Sequence, residues 1–296
     1  MPQRLTSTDV PRFARGQGLE LAARQAVDGL YAGRHRSPRF GSSMDFADHR
    51  PYQDGDELRA IDWKVYARSD RLLVRRWHDD RQLPVALLLD TSASMAYGAP
   101  AKGDIARLAS AVLGLLALDQ NDKLRLFLAA KPERYEPRDA VHLCATLGLV
   151  SDTGPDAAAH VIATATQRLQ QRHLLIVFSD FLDDLTALSL SLSELIAKGH
   201  EVACVQILDR TELSLPVAWG PSRFTDPEQT HPTIDGNAHD LAEAYADALR
   251  DHQRLLMALC AEAGADHLII PTDGNIVEIL GTWLARRSAL RIGGGR

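Results

Sequence analysis

The chain is poor in cysteine, with three in 296 residues. Cys144, Cys204 and Cys260 stand far apart in apolar surroundings, a spacing that supplies neither a disulfide framework nor a Cys-x-x-Cys zinc knuckle. They read as buried thiols of a reducing compartment. No run approaches the roughly 18 apolar residues of a membrane span, and the start "MPQRLTSTDVPRFARG" has no apolar core that would make it a signal peptide. The expectation is a cytoplasmic protein. The 11 histidines form no His-x-x-x-His or Glu-x-x-His pair on a plausible helix face, which argues against catalytic zinc. A Walker A loop, a Gly-x-Gly-x-x-Gly turn after a strand and a Gly-x-Ser-x-Gly elbow are also missing. Nor is there an excess of positive charge: the net charge is -6, so nothing global draws the chain to nucleic acid or anionic lipid. The balance is uneven, however, with 15 Lys/Arg against 12 Asp/Glu in residues 1–83 and 18 against 27 in the remainder.

What is present is an ordinary globular composition, 45% apolar and 24% charged, enough for one large core or two smaller ones. From residue 84 onward short apolar runs alternate with amphipathic ones. "PVALLLD", "KLRLFLA", "HLLIVFSD", "EVACVQIL" and "DHLIIP" read as strands covered on both faces. The stretches "GDIARLASAVLGLLALDQ", "DAAAHVIATATQRLQQ", "DLTALSLSLSELIAKG", "HDLAEAYADALRDHQRLLMALCAEAG" and "DGNIVEILGTWLARR" read as helices. Gly199 and Gly264 stand where left-handed C-terminal caps are wanted. The expected fold class is α/β, a doubly wound and mostly parallel sheet over residues 83–290, with an insertion at about 209–238 that suggests a hairpin around "TDPEQTHPTIDG". Residues 1–82 differ in kind: a helix over "GLELAARQAVDGLYAG", then an Arg/Asp-rich, turn-rich stretch with β-like pieces such as "RLLVRRW". That stretch is too polar for a core of its own, so it is expected to be an appendage docked on the α/β domain.

In a parallel sheet, ligands bind beyond the carboxyl ends of the strands. One strand ends in "LLLDTSASM" and another in "IVFSD", so Asp90, Ser92, Ser94 and Asp180 are expected at neighbouring strand ends. Two carboxylates and two hydroxyls form an all-oxygen set suited to a hard cation, Mg²⁺ or Mn²⁺. Asp and Ser after a strand also serve as turn formers and helix caps; the recurrence at two strands favours the cluster. Asp183 and Asp184 in "FLDDL" read as cap and first-turn charges of the next helix.

These residues carry a resemblance. "DTSASM" resembles the metal-ion-dependent adhesion site of von Willebrand factor A domains, whose fold the α/β alternation also resembles. "FADHRPYQDGDELRAIDWKVYARSDRLLVRRW", "QNDKLRLFLA", "LLIVFSDFLDD", "KGHEV" and "FTDPE" are similar to the bacterial family called domain of unknown function 58. The resemblance implies that Asp90, Ser92, Ser94 and Asp180 are metal ligands. It also implies a threonine in the intermediate loop, where "SDTGPDAAAH" places Pro155 ahead of Asp156; Thr153 would replace it only in a rearranged loop. The implied activity is not catalysis but adhesion, in which a partner's carboxylate completes the cation's shell. The implied partner is a MoxR-type AAA+ ATPase, which makes the chain an adaptor in protein assembly or maturation.

"RPYQDGDELRAIDW" concentrates Arg50, Asp54, Asp56, Arg59, Asp62 and Trp63. One reading is a turn stapled by Arg–Asp pairs, with Trp63 covering a sheet edge. The other is an interaction surface anchored by Arg59 and Trp63. Two further functions stay open. Asp90 and Asp180 would suit a Mg²⁺- or Mn²⁺-dependent phosphatase or nuclease. The Arg-rich N-terminal segment would suit nucleic acid, although it lacks a clean basic stripe with interleaved aromatics.

Overall fold

The computed structural model describes residues 17–32, 46–53, 61–69, 71–77, 83–129, 131–154, 158–213, 221–228 and 232–293. The chain divides into two units, one of Met1–Phe40 with Pro84–Arg296 and one of Gly41–Leu83. The described residues of the larger begin with helix α1 (Gln17–Ala32). The smaller holds strand β1 (Phe46–Pro51), helix α2 (Trp63–Ser69) and strand β2 (Leu73–Trp77). β1 and β2 pair antiparallel, Arg50 opposite Val74. Asp62 is buried and caps α2, its carboxylate accepting from the Val65 N–H at 3.3 Å. Trp63 is 57% exposed and meets Tyr66 edge-on, the ring centroids 6.1 Å apart. Asp54, Asp56 and Arg59 lie outside the described residues, as does the side chain of Arg50.

The larger unit continues with β3 (Val85–Leu89), α3 (Lys102–Asp119), β4 (Leu124–Leu128), β5 (Lys131–Tyr135), α4 (Ala140–Gly148), α5 (Ala158–Arg168), β6 (Leu174–Ser179), α6 (Leu185–Ala197), β7 (Glu201–Leu208) and α7 (Arg210–Leu213). β8 (Pro221–Phe224), β9 (Ile234–Asn237), α8 (Ala238–Ala263), β10 (Asp266–Pro271) and α9 (Ile276–Gly293) complete it. Six strands form one sheet in the order β10-β7-β6-β3-β4-β5. All neighbours run parallel except β5, which is antiparallel to β4 at the edge. Counted along the chain this is the doubly wound order, with the first strand (β3) beside the fourth (β6). β8 and β9 form the antiparallel hairpin expected in the insertion.

Each strand's alternation decides which helices it meets. Ala86 and Leu88 of β3 join Val161 and Ile162 of α5, Leu192 of α6 and Leu256 of α8 in one core. On the other face Leu87 lies against Gly114 of α3, where a Cβ would stand 2.5 Å from Leu143. That closeness is why the central helix is buried almost all round and rich in Ala and Gly. α1 packs on α3, α4 and α9, so this helix, grouped by sequence with residues 1–82, belongs to the α/β unit. Asp184 caps α6, accepting from the Thr186 N–H at 2.8 Å, and Gly264 ends α8 with φ 71°, as their residue types predict. Among the described residues no helix is long and apolar enough to cross a membrane.

Candidate functional site

Winding in opposite directions opens a crevice between β3 and β6 at their carboxyl ends. The ladder carries on one residue past β3, with the Asp90 N–H donating to the Phe178 carbonyl at 3.0 Å. Asp90 is 1% exposed, and both its oxygens are engaged. Oδ1 accepts from the Ser92 N–H at 2.8 Å and Oδ2 from the Ser179 hydroxyl at 2.6 Å. Burial raises its carboxyl to about 7; the bonds from Ser179 and Ser92 oppose the rise, and the charge of Asp180 adds to it. The Ser92 and Ser94 hydroxyl oxygens are 3.1 Å apart. A 3₁₀ turn at Ala93–Ala96 follows.

Asp180 is reached from the neighbouring strand. Its Oδ1 accepts from the Leu182 N–H at 3.3 Å, and its carbonyl accepts from Gln206 Nε2 at 2.9 Å. Its Oδ2 accepts from Lys102 Nζ at 2.7 Å. Lys102 opens α3 and is 1% exposed, and its ammonium also donates to Glu212 Oε1 at 2.5 Å. Burial alone would lower the Lys102 amine, but Asp180 and Glu212 together hold it above its ordinary value. The next residue, Phe181, takes φ 51°, a strained choice for an aromatic side chain. Its buried ring, its N–H bond to Ser179 Oγ at 3.0 Å and the 2.6 Å bond from His252 Nε2 to its carbonyl hold it there.

The intermediate loop lies alongside. Ser92 and Gly154 are bridged in parallel, with Ala93 N–H donating to the Gly154 carbonyl and Gly154 N–H to the Thr91 carbonyl, both at 3.0 Å. Thr153 is therefore adjacent in backbone, and its side chain is exposed. Pro155 and Asp156 lie outside the described residues. Asp152 anchors the loop from below, paired through both oxygens with Arg107 Nη1 at 2.9 and 3.0 Å.

The insertion supplies two acids. Glu212 of α7 holds Lys102, while its other oxygen accepts from the Asp209 N–H at 2.8 Å. Glu228, beyond β8, accepts from the Ser94 N–H and the Ser92 hydroxyl; burial and the charges of Asp180 and Asp226 nevertheless raise its carboxyl. Asp183, at the exposed edge, is also held up to about 6, by desolvation ahead of the charges of Asp180, Glu228 and Asp226.

The donor set partly fits the cation expected from the sequence. The Ser92 and Ser94 hydroxyls are hydrogen-bonded to each other at 3.1 Å, a spacing that octahedral ligands at about 2.1 Å from Mg²⁺ also have, about 3.0 Å. Against this, Asp180 already faces an ammonium. Among the described residues no group of three or more His, Cys, Asp or Glu side chains is arranged to hold a metal ion. The four expected residues, Asp90, Ser92, Ser94 and Asp180, converge on one crevice. Lys102, Ser179, Glu212 and Glu228 join them without having been singled out. Ser179 and Glu228 fall within the stretches "LLIVFSDFLDD" and "FTDPE"; Lys102 and Glu212 carried no signal of their own.

The family model described as "Protein of unknown function DUF58" matches residues 48–255, and the chain belongs to this family. Uncharacterized protein Rv1480 of Mycobacterium tuberculosis and Uncharacterized protein Mb1516 of Mycobacterium bovis are each 31% identical over 220 residues, 70% of this chain and 69% of theirs. Among solved structures the chain is similar to the conserved hypothetical protein BatB from Bacteroides thetaiotaomicron, with TM-score 0.46 and 15% identity over 69% of this chain and 98% of that one. An aerotolerance-related membrane protein from Bacteroides fragilis gives TM-score 0.45 and 14% identity over 69% and 99%. The SpRpn10 VWA domain gives 0.39 and 11% over 67% and 94%.

Proposed function

We propose that this chain is a non-enzymatic protein-interaction module whose docking point is the Asp90, Ser92, Ser94 and Asp180 crevice. In this reading it acts with Mg²⁺ or Mn²⁺ as an adaptor for a MoxR-type AAA+ ATPase in protein assembly or maturation. The carrying observation is that these four oxygen-bearing side chains meet at the switch point of the sheet, where a doubly wound fold receives its ligands. A cation bound there supplies an open coordination position for a partner's carboxylate. Asp90 sets the loop geometry, and the Ser92 and Ser94 hydroxyls, hydrogen-bonded to each other at 3.1 Å, would turn to the cation as ligands. The ATPase partner comes from the family resemblance.

A metal-dependent phosphatase or nuclease finds less support. A general base needs an oxygen aimed at its proton, and Asp90 is 1% exposed with one oxygen accepting from Ser92 and the other from Ser179.

The test is binding of the full chain to the MoxR-type ATPase of its own genome, nucleotide-free, with Mg²⁺ or with chelator. Wild type is expected to bind in Mg²⁺, and a Ser92→Ala/Ser94→Ala variant of unchanged melting temperature to bind at least about tenfold more weakly. Equal affinity of the two proteins, or no binding by wild type, would sink the reading.

A further inference from the structure

We propose that Lys102 is a tethered cation that competes with the divalent ion for Asp180, so that ammonium and metal are mutually exclusive occupants of the crevice. This rests on the reading of the cluster as a divalent-cation site. An ammonium as deeply buried as that of Lys102 is costly unless its charge is met. Here it is met by two carboxylates on different elements, Asp180 Oδ2 at 2.7 Å and Glu212 Oε1 at 2.5 Å. Asp180 directly follows β6 and brings the second carboxylate to the cluster, and the oxygen it gives to Lys102 is one that a cation would need. A divalent ion on that oxygen would stand within a few ångströms of a buried positive charge, with little water to screen the repulsion.

The geometry also gives the lysine somewhere to go. Glu212 sits in the insertion, outside the sheet, and is more exposed than Asp180. Lys102 Nζ lies 5.8 Å from the centre of the Tyr97 ring, which flanks it. Rotation of the flexible stem would keep the Glu212 contact while releasing Asp180. The metal's occupancy would then depend on the insertion, because the insertion holds the displaced amine.

The experiment is titration of Mn²⁺ into chelator-treated full-length protein, followed calorimetrically and by paramagnetic resonance of free Mn²⁺. Wild type is compared with Lys102→Met/Glu212→Gln, a pair that leaves no unmatched charge at Glu212, and with the same pair carrying Asp180→Asn. The double variant is expected to bind Mn²⁺ at least about tenfold more tightly than wild type, and the triple variant to lose that gain. Equal affinity of wild type and double variant overturns the competition and leaves the cation site standing. Absence of Mn²⁺ binding in both removes the cation reading of the cluster, and the competition with it. Thermal melts of all three establish that each is folded.

Discussion

The Ser179 hydroxyl donates to Asp90 at 2.6 Å, joining the ends of the two strands that flank the crevice. Ser179 also accepts from the Phe181 N–H at 3.0 Å, so one buried oxygen orients the carboxylate and supports the strained residue. Ser179→Ala leaves a carboxylate oxygen and an amide N–H without these partners. The expected cost is about 1–3 kcal/mol, measured by urea denaturation, with weaker partner binding than the stability loss explains. A change below about 0.5 kcal/mol would show that water replaces the hydroxyl.

Asp90 predicts an acid-side signature. Burial pushes its folded carboxyl up to about 7 from the ordinary 3.8, so between these values the folded state holds a proton that the unfolded chain has released. Stability from this group is therefore fully present below about pH 4, declines as pH rises to about 7 and is level above. Buried His173, lowered to about 4, acts with the opposite sign, losing stability as pH falls below 6.5. The difference between wild type and Asp90→Asn isolates the aspartate. Melting temperatures from pH 4 to 8 are expected to show the variant gaining on wild type as pH rises, and parallel curves would contradict the buried ionisation.

Gly103 sets helix propensity against packing. Alanine in a helix is favoured over glycine by about 1 kcal/mol, but a Cβ at Gly103 would lie 2.1 Å from Asp152 Oδ2. Gly103→Ala is expected to destabilise by about 1–3 kcal/mol by displacing Asp152 from Arg107. In the Asp152→Ala background the same change is expected to be neutral or stabilising, a coupling that a double-mutant cycle reads directly.

Gly264 offers a control away from the crevice. Its φ is 71° and nothing lies within 4 Å of where a Cβ would stand, so Gly264→Ala costs only the left-handed backbone, about 1–2 kcal/mol. Chemical denaturation should show that loss, with Mn²⁺ and partner binding unchanged.

The five parallel strands, the long helices, the hairpin of the insertion and the positions of the four crevice residues were legible because each rests on a local signal: unbroken apolar runs, three- and four-residue periodicity, or carboxylates and hydroxyls just past a strand. Helix α4 was not, since its short apolar stretch "AVHLCATLG" carries too few turns for its period to show, and edge strand β5, "KPERY", has no apolar alternation. The placement of α1 against α3, α4 and α9 was also hidden, because its apolar stripe states that it must pack but not against which partner. The sequence by itself determined that Asp90 and Asp180 end strands of one parallel sheet. Only the tertiary structure decided that Lys102 stands between Asp180 and Glu212, 78 and 110 residues away along the chain. Hydrophobic periodicity is a property of each segment, whereas a buried charge is compensated by whatever the finished fold brings beside it, and chain order does not encode that neighbour.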